Sequence, residues 1–373
     1  MRKNKVFYLV YGLTSGGIEK YSVNLFKYIN KKKHKVDFIV KMEQKEFFDD
    51  LFYALGGKKI ALSHGCTGNS IQRIIIYLRN LYVTLKDGYN IAYFNLSSPS
   101  AVFKYPLISR ILGIKKIIIH SHNSYEEKVG IIKKIINFFG RICINWIAYA
   151  RFACSDKAAK WMFGNRILKL KKYSLIANGI EVDQYTFNPS SRANLRKILG
   201  IHDNQFVIGH VGRFVEQKNH EFIIDIFYEL LTIQKNALLL LIGIGPLKNS
   251  IEEKVLKLGI KQNVIFLGER ADVNDYMQVM DIFLLPSFYE GLPVVGIEAQ
   301  AAGLKCFFSN TITKEADVTG NVEFIGINED AITWAKKIKS KFMYERKSQK
   351  KSIEQAGFDI QSTAHLVESV FEK

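Results

Sequence analysis

The sequence predicts an α/β protein built from two doubly wound domains that face each other across a cleft. Three observations predict it. Short β-branched runs alternate with amphipathic stretches along the chain, the pattern of βα units and a parallel sheet. That alternation restarts after residue 205. Near residue 190, between the two series, turn signals coincide with a change in charge balance. Up to residue 185 there are 31 Lys and Arg against 12 Asp and Glu, net +19; beyond it there are 22 against 23, net −1. A chain of 373 residues is long enough for two such domains.

In the first series the strands are expected at 5–11, 36–41, 91–95, 116–120 and 151–154. The N-terminal stretch has a charged start and an apolar run, as a leader peptide would. The run is short, lacks a small-x-small cleavage site and leads into Thr14-Ser15-Gly16-Gly17. It therefore reads as a buried first strand feeding a glycine turn. A helix over 17–30 carries Ile18, Tyr21, Val23, Leu25, Phe26 and Ile29. A second, over 71–85, keeps Arg73 and Arg79 off its apolar face. A third, over 131–149, includes Phe138, Phe139 and Trp146, and suits either core packing or a membrane interface. The longest apolar stretch, 135–154, is broken by Arg141 and Arg151 and falls short of the ~20 residues a bilayer requires.

In the second series a strand over 205–211 ends in Gly212, and one over 238–242 ends in Gly243-Ile244-Gly245-Pro246. Residues 264–267 end in Gly268, and 282–285 end in Pro286-Ser287. The connecting segment, 176–191, contains Asn178-Gly179 and Asn188-Pro189-Ser190-Ser191, both turn or linker signals. The expected domains are 1–188 and 189–354.

Composition narrows the function classes. Hydrophobic residues make up 48% and charged residues 24%, which excludes disordered, collagen-like and coiled-coil chains. The four cysteines, Cys66, Cys143, Cys154 and Cys306, are scattered with no CxxC pair. This argues against a disulfide framework or structural zinc and suits a reducing cytoplasm. The net charge of +18 sits in the first half. Unless it serves solubility alone, it implies an acidic partner: nucleic acid, an anionic bilayer or a phosphorylated substrate.

In doubly wound sheets ligands bind at the carboxyl ends of strands, and four strings qualify. In the first, 285–298, a strand end is followed by Glu290, Gly291, Leu292 and a helix expected to carry Pro293 in its first turn. The Gly291 and Leu292 amides at that helix start would suit an anion. Glu290 could accept two sugar hydroxyls and Glu298 a ribose diol, although Glu298 alone reads better as a solvated helical residue. The second string, 212–220, follows Gly212 with Arg213 and Lys218, two cations suited to a diphosphate. In the third, 11–20, Gly16 and Gly17 let the backbone approach a phosphate or sugar; the spacing is not GxGxxG, so a nicotinamide site is unsupported. The fourth is 119–123, where His120 and His122 share one face of a strand. No third ligand suggests zinc there, and no Asp-x-Asp suggests a metal-bridged diphosphate.

Taken together, these strings resemble retaining glycosyltransferases of family 4, which have the GT-B fold of two Rossmann-like domains. The likeness is strongest to the subgroup from capsular and exopolysaccharide biosynthesis. It runs through Gly16-Gly17-Ile18-Glu19, HSHN at 120–123, FACSDKAAKWMFG at 152–164, IANGIEVDQYTFNP at 176–189, IGHVGRFVEQKNH at 208–220 and LLPSFYEGLPVVGIEAQAAGL at 284–304. Glu290 and Glu298 match the family's E-x7-E motif. One departure is Glu181, where the family usually has Asp.

The resemblance implies a role for each matched position. Arg213 and Lys218 would hold the donor diphosphate and Glu290 would orient the donor sugar. The Gly291 and Leu292 amides would meet phosphate and sugar, and Glu298 the ribose. Gly16 and Gly17 would face donor phosphate and acceptor, and Gly212 would lie in the donor loop. Glu269 and Arg270 would fall where the backbone touches the base. His122, with His120 second, would lie near the transferred sugar. A C-terminal helix, about 355–373, would cross back onto the first domain.

The expected reaction moves a hexose or N-acetylhexosamine from a nucleotide diphosphate sugar, most simply a UDP-sugar, to a lipid-diphosphate-linked glycan. It would retain anomeric configuration by front-face attack, without metal or other cofactor. The lysine-rich first half would attract an anionic inner leaflet, placing the protein peripherally on the cytoplasmic membrane, with no nucleic acid partner. The alternatives are another GT-B enzyme, such as a nucleotide-sugar epimerase or phosphorylase, and a basic nucleic-acid-binding protein.

Overall fold

The computed structural model describes residues 3–122, 130–342 and 344–373. The chain divides into two units, Met1–Ile180 with Asp359–Lys373, and Glu181–Phe358. Asn123, the last residue of the HSHN string, lies outside the described residues.

The first unit is built on seven parallel strands: β1 (Asn4–Leu9), β2 (His34–Val40), β3 (Lys58–Ala61), β4 (Ile91–Leu96), β5 (Lys116–Ser121), β6 (Ala150–Ala153) and β7 (Ser174–Leu175). Their order is β3-β2-β1-β4-β5-β6-β7. β4 is buried along its whole length, as expected of a central strand covered on both faces. The N-terminal apolar run is β1, paired in parallel with β2 and β4.

The second unit has six parallel strands: β8 (Phe206–Val211), β9 (Ala237–Ile242), β10 (Val264–Phe266), β11 (Ile282–Leu285), β12 (Lys305–Ser309) and β13 (Val322–Ile325). Their order is β10-β9-β8-β11-β12-β13. In each sheet the strand order reverses once, between β1 and β4 and between β8 and β11. Ligands of doubly wound sheets bind at the carboxyl end of such a switch point.

The string Asn188-Pro189-Ser190-Ser191 is a helix start rather than a linker. The Asn188 side chain accepts from the Ser190 and Ser191 amides, 3.0 and 3.1 Å away, and Pro189 opens the Pro189–Ile198 helix. Asn at the cap and Pro in the first turn satisfy a helix N-terminus as readily as they make a turn. Arg192 in this helix donates to the carbonyls of Gln278, Val279 and Met280 and pairs with Asp281 at 2.5 Å. The segment is thereby fastened to the second unit, and the division falls earlier, at Ile180.

The chain returns to the first unit at Asp359, whose side chain caps the Ile360–Glu372 helix by accepting from the Ser362 amide at 2.8 Å. Ile180 and Asp359 form an isolated parallel bridge. A side chain on Gly179 would meet the Ile360 backbone at 2.8 Å, so this close approach requires glycine. Ile360, Ala364, Val367 and Phe371 enter the core formed by β1, β2 and the Gly17–Tyr28 helix. Asn4 and Lys116 both donate to the Phe371 carbonyl.

All four cysteines are free. Among the described residues no helix is long and apolar enough to cross a membrane.

Candidate functional site

At the switch point of the second sheet the chain leaves β8 through Gly212 and β11 through Pro286. Gly212 donates to the Ile242 carbonyl at 2.9 Å, and Gly243 donates to Gly268 at 2.8 Å, so the ends of β8, β9 and β10 are tied through glycines. Gly243 has φ +142, and a side chain there would meet the Gly212 carbonyl at 2.1 Å. This pair fixes the loop that carries Arg213.

The sequence brings Lys218 and Glu290 together from opposite sides of this switch point. Lys218 Nζ lies 2.5 Å from Glu290 Oε1, with side chains 16% and 9% exposed. Gln217 donates to Glu290 Oε2 at 3.3 Å and to the Tyr289 carbonyl at 2.9 Å, and the Phe288 amide donates to the Gln217 carbonyl. Asn219, in the left-handed conformation, donates to the Pro286 carbonyl at 3.2 Å. The two loops are thus stitched side to side, and both Glu290 carboxylate oxygens are held by donors of this chain.

Arg213 is exposed, and among the described residues it makes no ion pair. The expected pair of diphosphate cations is therefore unequal: Arg213 is open to solvent, whereas Lys218 is neutralised by Glu290. Beneath Lys218, His210 and His220 are 0% and 1% exposed with rings 4.7 Å apart. His210 Nδ1 donates to the Leu284 carbonyl at 2.8 Å. Burial, then the nearby Lys218 charge, pushes His220 down to about 3. These imidazoles are neutral spacers under the cation.

The helix after Glu290 begins at Val294, later than expected, and runs to Ala301. Pro293 is its extended cap, with its carbonyl accepting from Gly296 at 2.9 Å. Gly291 and Leu292 lie in the turn before it, and among the described residues neither amide donates to a protein acceptor. Glu298 is 4% exposed, which overturns its reading as a solvated residue; the helix turns this position inward. Glu269 is half-buried, and Arg270 turns to Asp272 in a two-pronged contact at 2.8 and 2.6 Å. The Arg270 side chain is thus committed within its own loop.

In the first unit the switch point gathers the end of β1, the end of β4 and His122 after β5. Gly16 caps the Gly17–Tyr28 helix without a side-chain partner. The space beside the glycine loop holds carboxylates: a side chain on Gly16 would meet Glu19 at 2.1 Å, and one on Gly12 would meet Glu46 at 2.4 Å. Glu46 also accepts from the Leu13 amide at 2.7 Å. The glycines do permit a close approach, and here the approaching groups are the chain's own acids.

His122 is 8% exposed and His120 0%, with ring centres 3.9 Å apart. Asn95 donates to the Leu9 carbonyl, which turns its oxygen to His122 Nε2 at 2.8 Å. His122 Nδ1 lies 2.7 Å from Asn178 Oδ1. Both ring nitrogens are thus engaged by the protein, and neither imidazole offers one to solvent. Asn95 and Asn178 escaped sequence reasoning as site residues. The available signal was a polar Asn ending the apolar run of β4.

Burial pushes His122 down to about 4, so it is neutral in the folded chain while the unfolded chain binds its proton near 6.5. His220 behaves alike. The unfolded state therefore holds more protons between about pH 4 and 6.5, and stability is complete above that window and falls as pH drops through it. We expect the melting temperature to decrease from pH 7.5 to pH 5; a flat profile would contradict the neutral assignment.

Residues 191–357 match the family described as glycosyl transferases group 1. The match contains Arg213, Lys218, Glu290 and Glu298. The second unit carries a group 1, family 4 glycosyltransferase domain. This glycosyltransferase is of the retaining kind. It is 28% identical to the putative glycosyltransferase EpsF of Bacillus subtilis over 99% of this chain and 96% of that one. It is 23% identical to the Escherichia coli UDP-Gal:alpha-D-GlcNAc-diphosphoundecaprenol alpha-1,3-galactosyltransferase over 79% and 76%. Its fold is similar to that of Anabaena HepE, solved in complex with UDP and glucose, with TM-score 0.76 and 18% identity over 99% of this chain and 100% of that one. The glycosyltransferase thus has the GT-B architecture of two Rossmann-like domains, with the C-terminal helix packed in the first of them.

Proposed function

We propose that this glycosyltransferase moves a hexose or N-acetylhexosamine from a UDP-sugar to a lipid-diphosphate-linked glycan, in the assembly of a capsular or exopolysaccharide. One observation carries the reading: Lys218, on the loop that also carries Arg213 out of β8, pairs with Glu290 at the switch point of the second sheet. The names of the Escherichia coli and Anabaena relatives support a UDP-linked donor, and the former supports a lipid-diphosphate acceptor. The name of the Bacillus relative supports the polysaccharide setting.

In this reading Arg213 binds the diphosphate, helped by the Gly291 and Leu292 amides. Glu290, already oriented by Lys218 and Gln217, accepts hydroxyls of the donor sugar. As the leaving diphosphate gains charge, the Lys218 ammonium shares itself between Glu290 and that charge. Glu298 holds the ribose, and the backbone at Glu269 and Arg270 meets the base. On the first unit Gly16 and Gly17 meet phosphate and acceptor, and His122 lies near the transferred sugar.

The test incubates the full chain with UDP-glucose, UDP-galactose and UDP-N-acetylglucosamine without acceptor. We expect UDP to raise the melting temperature and one donor to be hydrolysed slowly with α configuration retained. Isomerisation of the free donor would favour an epimerase; no response to any uridine nucleotide would overturn the donor assignment.

The Ile131–Ile147 helix supports a peripheral membrane position. It buries Asn137, Gly140, Ile144 and Ile147 and leaves its other face apolar and exposed, with Ile131 and Trp146 each 76% exposed. An apolar face opposite the buried one has no use in a water-facing helix. Lys133 and Lys134 accompany it, and each basic residue near an anionic surface adds about 1 kcal/mol. Flotation with anionic liposomes should recover the chain at low salt and lose it at high salt; failure to float with them at low salt would sink this placement.

A further inference from the structure

The first unit carries a groove of about 910 Å³ whose lining includes none of the residues discussed so far as donor or acceptor groups. It lies at the carboxyl ends of β2 and β3, which release Lys41 and Ser63 into its rim. One wall is the Ser70–Leu85 helix; the other is the segment around Phe103 and Ile108. The helix wall is firmly made. Asn69 Oδ1 accepts from the Gln72 amide at 3.0 Å, and Gln72 Oε1 accepts from the Asn69 amide at 2.9 Å, a reciprocal cap.

The groove has a closed floor and an apolar, open mouth. Leu81 is 1% exposed, and the Tyr77 and Tyr105 hydroxyls bond to each other at 2.5 Å beneath it. Ile74 and Leu78 stand 59% and 48% exposed. The same helix exposes Ile71, Ile75 and Tyr82, so an apolar stripe at helical spacing faces outward along its length. Exposed apolar surface of this extent marks a binding surface.

The rim is cationic. Lys41, Arg73 and Lys104 line the groove, and its one acid, Glu43, is taken by His64 at 2.7 Å. Among the described residues Lys41 and Lys104 make no ion pair. The Arg73 Nε donates to the Gly68 carbonyl, which leaves the end of the guanidinium open. An apolar slot with cations at its edge fits an amphiphile: a hydrocarbon chain carrying a phosphate or diphosphate head.

One wall of the groove is also joined to the helix proposed to meet the membrane. Phe103 ends the Pro99–Phe103 turn, and a side chain on Gly140 of the Ile131–Ile147 helix would meet the Pro99 carbonyl at 2.5 Å. The turn is therefore seated directly on the helix whose far face is apolar.

We propose that this groove binds the isoprenoid diphosphate part of the acceptor, with the chain along Ile74, Leu78 and Phe103 and the diphosphate toward Lys41, Arg73 and Lys104. The inference rests on the reading of the acceptor as lipid-linked. It gives the first unit a lipid subsite separate from the sugar-handling residues Gly16, Gly17 and His122.

Farnesyl diphosphate tests it, titrated into the full chain with saturating UDP so that the donor site is blocked. We expect saturable binding, at least tenfold tighter than for inorganic pyrophosphate or farnesol. Ile74→Glu with Leu78→Glu, both at exposed positions, should weaken it tenfold or more, as should Lys41→Glu with Lys104→Glu, while UDP affinity stays unchanged. Binding indifferent to both double variants, equal affinity for pyrophosphate, or no binding in the presence of UDP would overturn the groove. A chain that binds UDP but not farnesyl diphosphate refutes the lipid site alone. One that binds farnesyl diphosphate through these residues but not UDP upholds the lipid site and refutes the donor reading.

Discussion

Replacing Lys218 with Met lowers kcat for sugar transfer by about 10²–10³-fold, the usual loss when one charge-stabilising donor is removed from a transition state. Two effects combine. The ammonium no longer reaches the departing diphosphate. Glu290, 9% exposed in its side chain, also loses its ionic partner. A largely buried carboxylate left alone costs on the order of 3–5 kcal/mol, so the single variant also melts earlier. The double variant Lys218→Met, Glu290→Gln separates the two. Replacing both members of a buried pair with neutral groups of similar size is close to neutral for stability, so its melting temperature returns toward the parent while activity stays lost. Recovery of transfer in the double variant would show that the pair only holds the two loops together. Arg213→Ala is a useful companion: that side chain is exposed and unpaired, so activity should fall with no change in melting.

Phe371→Ala is expected to cost the first unit about 3–5 kcal/mol, the range for removing a fully buried aromatic ring. Phe371 is 0% exposed and lies edge-on to His34 and Tyr93, with ring centres at 5.3 and 6.4 Å. Ending the chain after Phe358 also removes Ile360, Ala364 and Val367 from the same core. Such a loss rivals the whole stability of a domain, so the first unit should not fold. The second unit has its own core around Ile224, Leu239 and Trp334, and UDP binding should survive. Urea unfolding followed by circular dichroism, with UDP binding measured in parallel, checks both. A truncated chain with an unchanged transition would remove the tail helix from the first unit's stability.

Every central strand but β12 was legible in the sequence, as was the edge strand β10, whereas the edges β3, β7 and β13 were not. Residues 91–94 and 282–285 read as strands because they are apolar throughout and buried on both faces. β3 and β7 stand at the edges of their sheet and are exposed or half-buried, so no continuous apolar run announces them. β12 begins with Lys305, and β13 contains Glu323 and is only half-buried at its middle. The same contrast divides the site. The position of Arg213, Lys218 and Glu290 after strands was readable from the glycine and proline that end each run. The role of Asn188 was misread because the Asn-Pro pair that starts a turn also starts a helix.

By itself the sequence determined the two βα series, the boundary region between them, the basic first half and the residues that leave each strand. These follow from local chemistry: side-chain branching, apolar spacing, and backbone freedom at glycine. Tertiary structure alone decided that Lys218 and Glu290, 72 positions apart, share a proton-donor contact, because only the order of strands lays β8 beside β11. It likewise decided that Glu298 turns inward, that both nitrogens of His122 are spent on Asn95 and Asn178, and that the apolar side of the Ser70–Leu85 helix opens onto a cationic groove. Which face of an element is covered depends on its neighbours, and residues far apart along the chain supply them.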